Sequence, residues 1–273
     1  MMNNKNGIHI INKYTDRLIR KEEKLIHRKE NPFWKEKVAP ITDSIAKKIP
    51  KQMDDMFQKA FESGFLFLFE KGTPLIEKSY QTEKAAMKFE INQFILDKSF
   101  SKANLRRFHR QANRSIMKNH ALSSIEGTVM GFFGIGLPDI PVFLSVILKS
   151  IYEIALSYGF EYQSKVEQMY ILSILCATLT TNDEKRMFSR QCDLIGSYID
   201  QKIQYLSYDV EEMIKVTSRK LASQVVFSKF IQGLPIVGIS GGVTNYQLLH
   251  RITDMANIKY QKRFLGKTKA QFE

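Results

Sequence analysis

Apolar residues recur along this chain at steps of three and four positions, the spacing that places them on one face of an α-helix. In the first 31 residues, Ile11, Tyr14, Leu18 and Leu25 follow this spacing. No convincing run alternates apolar and polar residues as a half-buried β-strand does, and the apolar segment 225–227 is too short to carry a sheet. The pattern predicts an all-α fold, with a single multi-helix bundle domain preceded by a basic N-terminal helix.

Changes in composition divide the chain into three segments. We predict a basic helix at 1–34, ended by Asn31-Pro32, a helical domain at 35–265 and a frayed basic tail at 266–273. A helix is expected to begin near Pro50, and Gly72-Thr73-Pro74 is expected to break the helical pattern. The remaining predicted helices cover 75–97, a stretch reaching about Tyr158 with Gly159 as its C-cap, 164–181, 184–205, 209–231 and a last helix through Phe264.

Two short breaks in the helical pattern resemble each other. The tripeptide Gly-Leu-Pro occurs at 136–138 and again at 233–235, each time after an apolar segment that contains phenylalanine and before a long helix. Proline fits best in the first turn of a helix, and Asp139 is placed to cap the helix that follows Pro141. We therefore predict two glycine-rich helix–break–helix units, at about 121–158 and 227–264, that pack against each other.

The first of these units is apolar enough that insertion into a membrane must be considered. Residues 127–148 carry one charge, Asp139, and 22 residues are long enough to span a bilayer. That acid would lie near mid-span at a cost of about 2.5–3.5 kcal/mol, and two prolines interrupt the same place. A buried core hairpin, a hairpin inserted part-way into the membrane and a full span all remain open, in that order of preference.

The positive charge is the second feature that bears on function. The net charge is +13 and the sequence pI is about 9.5, which favours a polyanionic partner such as anionic lipid or nucleic acid. Basic runs free of acids adjoin both glycine-rich units, where cations and apolar surface could meet one leaflet together. Solvated helix faces are the alternative. The candidate lipid-facing basic residues are Lys102, Arg106, Arg107, Arg110, Arg114, Lys118, Lys259, Lys262 and Arg263.

No arrangement of residues typical of catalysis or of metal binding stands out. The metalloprotease helix motif, the nucleophile elbow and the P-loop are all missing, and we expect no catalytic, cofactor-binding or metal-binding residues. His109 and His120 lie eleven positions apart and are interpreted as part of a solvated basic face. The acids Glu126 and Asp139 lie in apolar surroundings, and a functional carboxylate is the less favoured interpretation of each.

The cysteines and the N-terminus bear on the compartment. Two cysteines do not make a disulfide framework, and Cys176 lies in an apolar run typical of a buried core. The N-terminal residues 1–14 lack the apolar stretch of a secretory signal. We expect a cytoplasmic location, peripheral to the inner face of the cell membrane.

The segments Gly-Leu-Pro-Asp-Ile-Pro at 136–141, Ile-Tyr-Glu-Ile-Ala-Leu-Ser-Tyr-Gly-Phe at 151–160 and Gly-Leu-Pro-Ile-Val-Gly at 233–238 resemble the signature of the EcsC family. The resemblance covers roughly residues 35–265. It implies a protein associated with bacterial ABC transporters and implies no enzymatic activity. The positions that match the family motifs are Gly136, Pro138, Asp139, Pro141, Tyr158, Gly159, Gly233, Pro235 and Asn245.

Together these observations predict a non-enzymatic accessory protein at the cytoplasmic membrane face, associated with an ABC transport or secretion system. Its expected partners are an anionic membrane surface and ABC transporter subunits, with no cofactor. A nucleic-acid-binding helical protein is the alternative, because it explains the charge but leaves the glycine-rich apolar units without a role. An unrecognised hydrolase is less favoured.

Overall fold

The regular structure of the protein is helical. The computed structural model describes residues 4–27, 49–113, 137–203, 209–232 and 241–273, and no β-strand occurs among them. The prediction of an all-α bundle is confirmed. The helices are α1 (Asn4–Ile26), α2 (Lys51–Phe67), α3 (Thr73–Lys78), α4 (Thr82–Lys98), α5 (residues 102–113), α6 (Ile140–Ser157), α7 (Lys165–Leu179), α8 (Asn182–Asp200), α9 (Val210–Gln232) and α10 (Gly241–Ala270).

The centre of the bundle is formed by α6 and α7, which are buried on nearly every side. α7 packs between α8 and α9, while α6 contacts α2, α4 and α10. Ser164 caps α7 by accepting a hydrogen bond from the amide of Glu167, which satisfies one of the free amides at the start of the helix. Cys176 lies within this helix and is buried, as its apolar surroundings predict.

The apolar stretch Leu137–Ser157 is a core helix. It has 21 residues and a mean hydropathy of 1.6, so by length and composition it could cross a bilayer. However, 61% of its most apolar window is buried inside the protein, against α2, α4 and α10. Burial against protein favours the core-helix interpretation for this half of the first glycine-rich unit. The other half, before Leu137, lies outside the described residues.

The long helices that follow the two Gly-Leu-Pro breaks pack against each other, as predicted. α6 contacts α10, and at its end the Tyr158 hydroxyl donates a hydrogen bond to Asn257 Oδ1 over 3.0 Å. The ring of Phe160 lies 5.5 Å from that of Tyr260. Residues 233–240 lie outside the described residues, so contact between the breaks themselves stays a prediction.

Gly159 ends α6 in the way that its sequence position predicts. Its φ is +74°, a backbone conformation that glycine adopts without strain. The amide of Gly159 donates to the carbonyl of Leu156 and that of Phe160 to Ala155, the two hydrogen bonds of a Schellman motif. A β-carbon at Gly159 would lie 2.2 Å from Phe89 Cζ, so the turn also allows α4 to approach.

The predicted break near Gly72 takes another form. The chain does not leave the helix there but continues through a π-helical turn, Leu68–Gly72, into α3. Pro74 lies in the first turn of α3, directly after this π-helical turn. The helix predicted at 75–97 is instead split after Lys78, where Tyr80 leaves the helical path and its hydroxyl meets that of Tyr162 at 2.9 Å.

The C-terminal tail is not frayed, contrary to the prediction. α10 continues through Ala270, and the ring of Phe272 packs on Phe100 with their centroids 4.9 Å apart. The Phe272 carbonyl also accepts a hydrogen bond from Asn4 Nδ2 over 3.2 Å, and the same ring covers Gly7. The tail is ordered because it packs against α1, a contact between segments that are distant in sequence.

Candidate anion-binding surface and cleft

Part of the predicted basic cluster lies on the surface of α5. Ser101 caps this helix by accepting from the amide of Asn104, and Leu105, Phe108 and Ala112 form its buried face. The opposite face carries the exposed cations Lys102, Arg106, Arg107 and Arg110. Arg114 and Lys118 lie outside the described residues.

For Lys259, Lys262 and Arg263, the prediction of a lipid-facing position is wrong. Lys259 has no exposed surface, Arg263 is 7% exposed, and the Lys262 side chain is 19% exposed. All three belong to the buried side of α10, where they form ion pairs with acids on other helices. They are therefore unavailable to a lipid headgroup, because each positive charge already has carboxylate partners inside the protein.

Lys259 and Lys262 share two acids contributed by different helices. The ammonium of Lys259 donates to Glu22 Oε1 of α1 at 2.6 Å and to Asp193 Oδ1 of α8 at 2.8 Å. Lys262 reaches the second oxygen of each acid, at 2.8 and 2.6 Å. Ser189 also donates to Glu22. Burial would raise the pKa of Glu22, but the two lysines outweigh it and hold that pKa at about 2.

Arg263 lies in a cage of aromatic rings and carboxylates. Its guanidinium donates to both oxygens of Asp200, at 2.8 and 3.0 Å, and to Glu167 Oε2 at 2.9 Å. The same planar group lies 4.3 Å from the ring centre of Phe160 and 4.5 Å from that of Tyr170. This arrangement joins α7, α8 and α10 and is a structural element of the core.

A cleft opens where α1, α5 and α10 meet. Its volume is about 340 Å³, a size in the range of small-molecule sites. Four of the lining side chains are cationic, and none is a carboxylate: the cations are Arg17 and Lys21 of α1 with Arg106 and Arg110 of α5. The remaining lining residues are Tyr14, Leu18, His109, Asn113 and Gln261. A concave surface with this charge favours a small anion.

His109 lines this cleft and does not belong to a solvated basic face, contrary to the prediction. It is 8% exposed and packs among the rings of Tyr14, Tyr158 and Phe264. Neither ring nitrogen has a hydrogen-bond partner among the residues that the structure describes. Burial and the nearby charge of Lys21 lower the pKa of His109 to about 4, so the ring is neutral at neutral pH. His120 lies outside the described residues.

An exposed apolar stripe runs along α4, next to α5. Met87, Ile91 and Phe94 follow helical spacing and each leaves more than half of its surface exposed. Lys98 continues the stripe, with its ammonium 5.5 Å from the centre of the Phe94 ring. Phe89 on the opposite side of α4 packs against Phe108 of α5 with centroids 6.1 Å apart. The exposed stripe of α4 and the basic face of α5 therefore both lie on the sides of their helices that are opposite the packed rings of Phe89 and Phe108.

Where the structure describes them, most of the family-motif positions lie at the two ends of α6. Tyr158 is buried and Gly159 ends α6, while Pro138 and Pro141 lie in the turns that open this helix. Asp139 is exposed and makes no capping hydrogen bond, contrary to the prediction, because its own backbone is already helical. Asn245 lies within α10, whereas Gly136, Gly233, Pro235 and the candidate acid Glu126 lie outside the described residues.

Residue types alone did not identify Glu22, Asp193 or the cleft. Glu22 lies four positions after the buried Leu18, so it continues the apolar stripe of α1 as an acid. His109 similarly lies four positions after the buried Leu105. In both cases the sequence signal for a buried polar group is a polar residue on the otherwise apolar face of a helix. In the described parts of the chain, no group of His, Cys, Asp and Glu could hold a metal ion.

The match to a known protein family extends over most of the chain. The family model of the EcsC protein family matches residues 13–265. Protein EcsC of Bacillus subtilis (strain 168) is 26% identical over 161 residues, which cover 58% of this chain and 64% of that protein. A protein of the same organism named uncharacterized protein YdbA is 26% identical over 155 residues, 52% of each chain. The matched segments thus span about half to two thirds of these relatives. No solved structure matches the chain.

Proposed function

The chain belongs to the EcsC protein family, and we propose that it is a non-enzymatic accessory protein that docks on the anionic cytoplasmic face of the cell membrane. The observation that carries the proposal is the exposed basic face of α5. Four cations, Lys102, Arg106, Arg107 and Arg110, lie on this face within nine residues. Each cation near an anionic leaflet contributes about 1 kcal/mol of attraction.

The apolar stripe of α4 supplies the second part of the proposed contact. Met87, Ile91 and Phe94 are large apolar side chains that the fold leaves more than half exposed. Contact with lipid tails near the headgroup boundary would bury them, as happens for interfacial helices with basic and apolar surfaces. The basic face of α5 and the apolar stripe of α4 together favour shallow docking on the membrane surface, since the long apolar helix α6 is buried in the core.

An association with an ABC transporter is the part of this proposal that rests on family membership alone. A protein held at the inner leaflet would be placed beside the membrane subunits of such a transporter. Co-purification from cross-linked membranes tests it directly, with transporter subunits expected among the captured proteins. Their absence, in a preparation where the protein itself is recovered with membranes, would contradict the association.

Flotation with lipid vesicles tests membrane docking. The protein is expected to float with vesicles that contain phosphatidylglycerol and not with phosphatidylcholine vesicles, and binding should weaken as salt screens the charges. Lys102 and Arg107 are the cations to replace with glutamine, because they lie on the basic face but do not line the cleft. Loss of both, at about 1 kcal/mol each, is expected to weaken binding about thirtyfold.

Matched controls separate a docking surface from general charge. Lys51 and Lys59 of α2 are also exposed, so K51Q/K59Q removes the same charge elsewhere and should weaken binding much less. Phe94→Ser is expected to reduce the binding that remains at high salt. Equal losses in both double variants, or no flotation with anionic vesicles at low salt, would refute membrane docking. Much tighter binding to duplex DNA than to vesicles would favour the nucleic-acid alternative instead.

A further inference from the structure

We infer that the cleft between α1, α5 and α10 binds a phosphate monoester, which Arg17, Lys21, Arg106 and Arg110 hold by their positive charges. This inference goes beyond membrane docking and stands without it, because it concerns one ligand in one cleft and not a diffuse surface attraction. The phosphate could be free in solution or could be the headgroup of a lipid such as phosphatidic acid. The chemistry recognised by the cleft is the same in both cases.

The electrostatics of the cleft favour a dianion. Four cationic side chains from two helices line one small space, and no carboxylate among the lining residues balances them. Like charges that lie close together around a concave site repel one another, so an occupant of opposite sign is favoured. A phosphate monoester carries up to two negative charges, and its oxygens match the forked donors of arginine.

The size of the cleft limits the ligand. A volume of about 340 Å³ lies at the small end of ligand sites, which suits a phosphate with a short organic body. Leu18 and the ring of Tyr14 supply apolar surface to contact that body, and Arg17 lies 5.6 Å from the centre of the Tyr14 ring. The cleft is thus built for one small anion and not for a long polyanion.

The buried polar atoms beside the cleft give a second reason. Both nitrogens of His109 and the hydroxyl of Tyr14 lack hydrogen-bond partners among the described residues. A buried polar atom without a partner destabilises a fold, and a ligand in the cleft would supply the missing partner. Because the ring of His109 is neutral at neutral pH, it can donate one hydrogen bond to a phosphate oxygen after a small rearrangement of the side chains around the cleft.

Isothermal titration calorimetry with glycerol 3-phosphate and inorganic phosphate measures soluble binding. Arg106→Gln and Arg110→Gln are each expected to weaken affinity about tenfold. Arg107→Gln is the matched control, because it removes the same charge from the same helix but does not line the cleft. His109→Phe should weaken affinity while leaving the free protein as stable as before or more stable, since it removes two unpaired polar atoms.

Vesicles distinguish the two sources of phosphate. Phosphatidic acid presents a phosphate monoester and phosphatidylglycerol a diester. A preference for phosphatidic acid over phosphatidylglycerol that R106Q/R110Q abolishes and K51Q/K59Q retains assigns the cleft to a lipid headgroup. Soluble binding without that preference assigns it to a free phosphate compound.

Two results would overturn the inference. One is an equal loss of affinity in Arg106→Gln and Arg107→Gln, which would indicate surface charge alone. The other is the absence of binding both to soluble phosphates and, beyond the level of phosphatidylglycerol, to phosphatidic acid. Neither result affects membrane docking, which K102Q/R107Q tests by a separate measurement.

Discussion

Glu22 in the first helix and Lys259 in the last form a buried ion pair with 2.6 Å between Oε1 and Nζ, although 237 positions separate them in sequence. The pair joins α1 to the rest of the bundle. The basic N-terminal helix is therefore part of the fold, and the positive charge of Lys259 serves stability and not surface attraction.

Breaking this pair is expected to destabilise the protein strongly. Lys259→Met leaves Glu22 and Asp193 sharing one lysine, at a cost of about 3–5 kcal/mol in the free energy of unfolding. Glu22→Leu combined with Lys259→Met should cost less than the sum of the single changes, because no charge of the pair is left unmatched. Urea denaturation of the four proteins measures this coupling.

A surface pair provides the control for that cycle. Lys220 and Glu184 also form an ion pair, but both side chains are partly exposed. Breaking it with Glu184→Gln should change stability by about 0–1 kcal/mol. A cost as large as that of Lys259→Met would mean that burial is not what makes the first pair important.

Stability is expected to fall in acid because of Glu22. Its folded pKa of about 2 lies below the ordinary 4.5, so its contribution to stability is fully present above about pH 5 and is lost as pH falls toward 2. The size of that contribution is of order 3 kcal/mol. Urea denaturation at a series of pH values should show a shallower acid slope in Glu22→Gln than in the unaltered protein; identical slopes would contradict the assignment.

Arg263 should not be replaceable by lysine. An ammonium group cannot hold Asp200 through two parallel hydrogen bonds, reach Glu167 and stack flat on Phe160 at the same time. Arg263→Lys is expected to cost about 2–4 kcal/mol in thermal or urea unfolding. Arg190→Lys, a change at an exposed site of α8, should be close to neutral.

Gly159 and Gly266 should respond in opposite directions to the same substitution. At Gly159 alanine is strained by the φ of +74° and its β-carbon meets the Phe89 ring at 2.2 Å, so stability should fall by about 1–3 kcal/mol. At Gly266, inside α10 and exposed, nothing lies within 4 Å, and alanine should add about 0.5–1 kcal/mol. A loss at both sites would count against the described path of the tail.

The helical periodicity of the sequence was sufficient to predict the fold class and most helix positions. Spacing of apolar residues is a local property. α7 and α9 begin and end within two residues of their predicted bounds, and α2 and α8 begin within two residues of their predicted starts. Gly159 was also predicted correctly as a C-cap, because the end of a helix depends on residues that are neighbours in the chain. The prediction that Cys176 is buried rests on the same local signal.

The location of each charge was decided by tertiary structure alone. Arg107 and Lys259 belong to similar basic runs, yet Arg107 lies on the surface and Lys259 lies in the core. The difference arises because acids on α1 and α8 meet α10 in space, and no local pattern records that meeting. The same holds for the cleft, whose four cations come from two helices about 90 residues apart in sequence. Local spacing determines which residues form a helix, whereas contacts between distant helices determine which of its charges remain free to bind a partner.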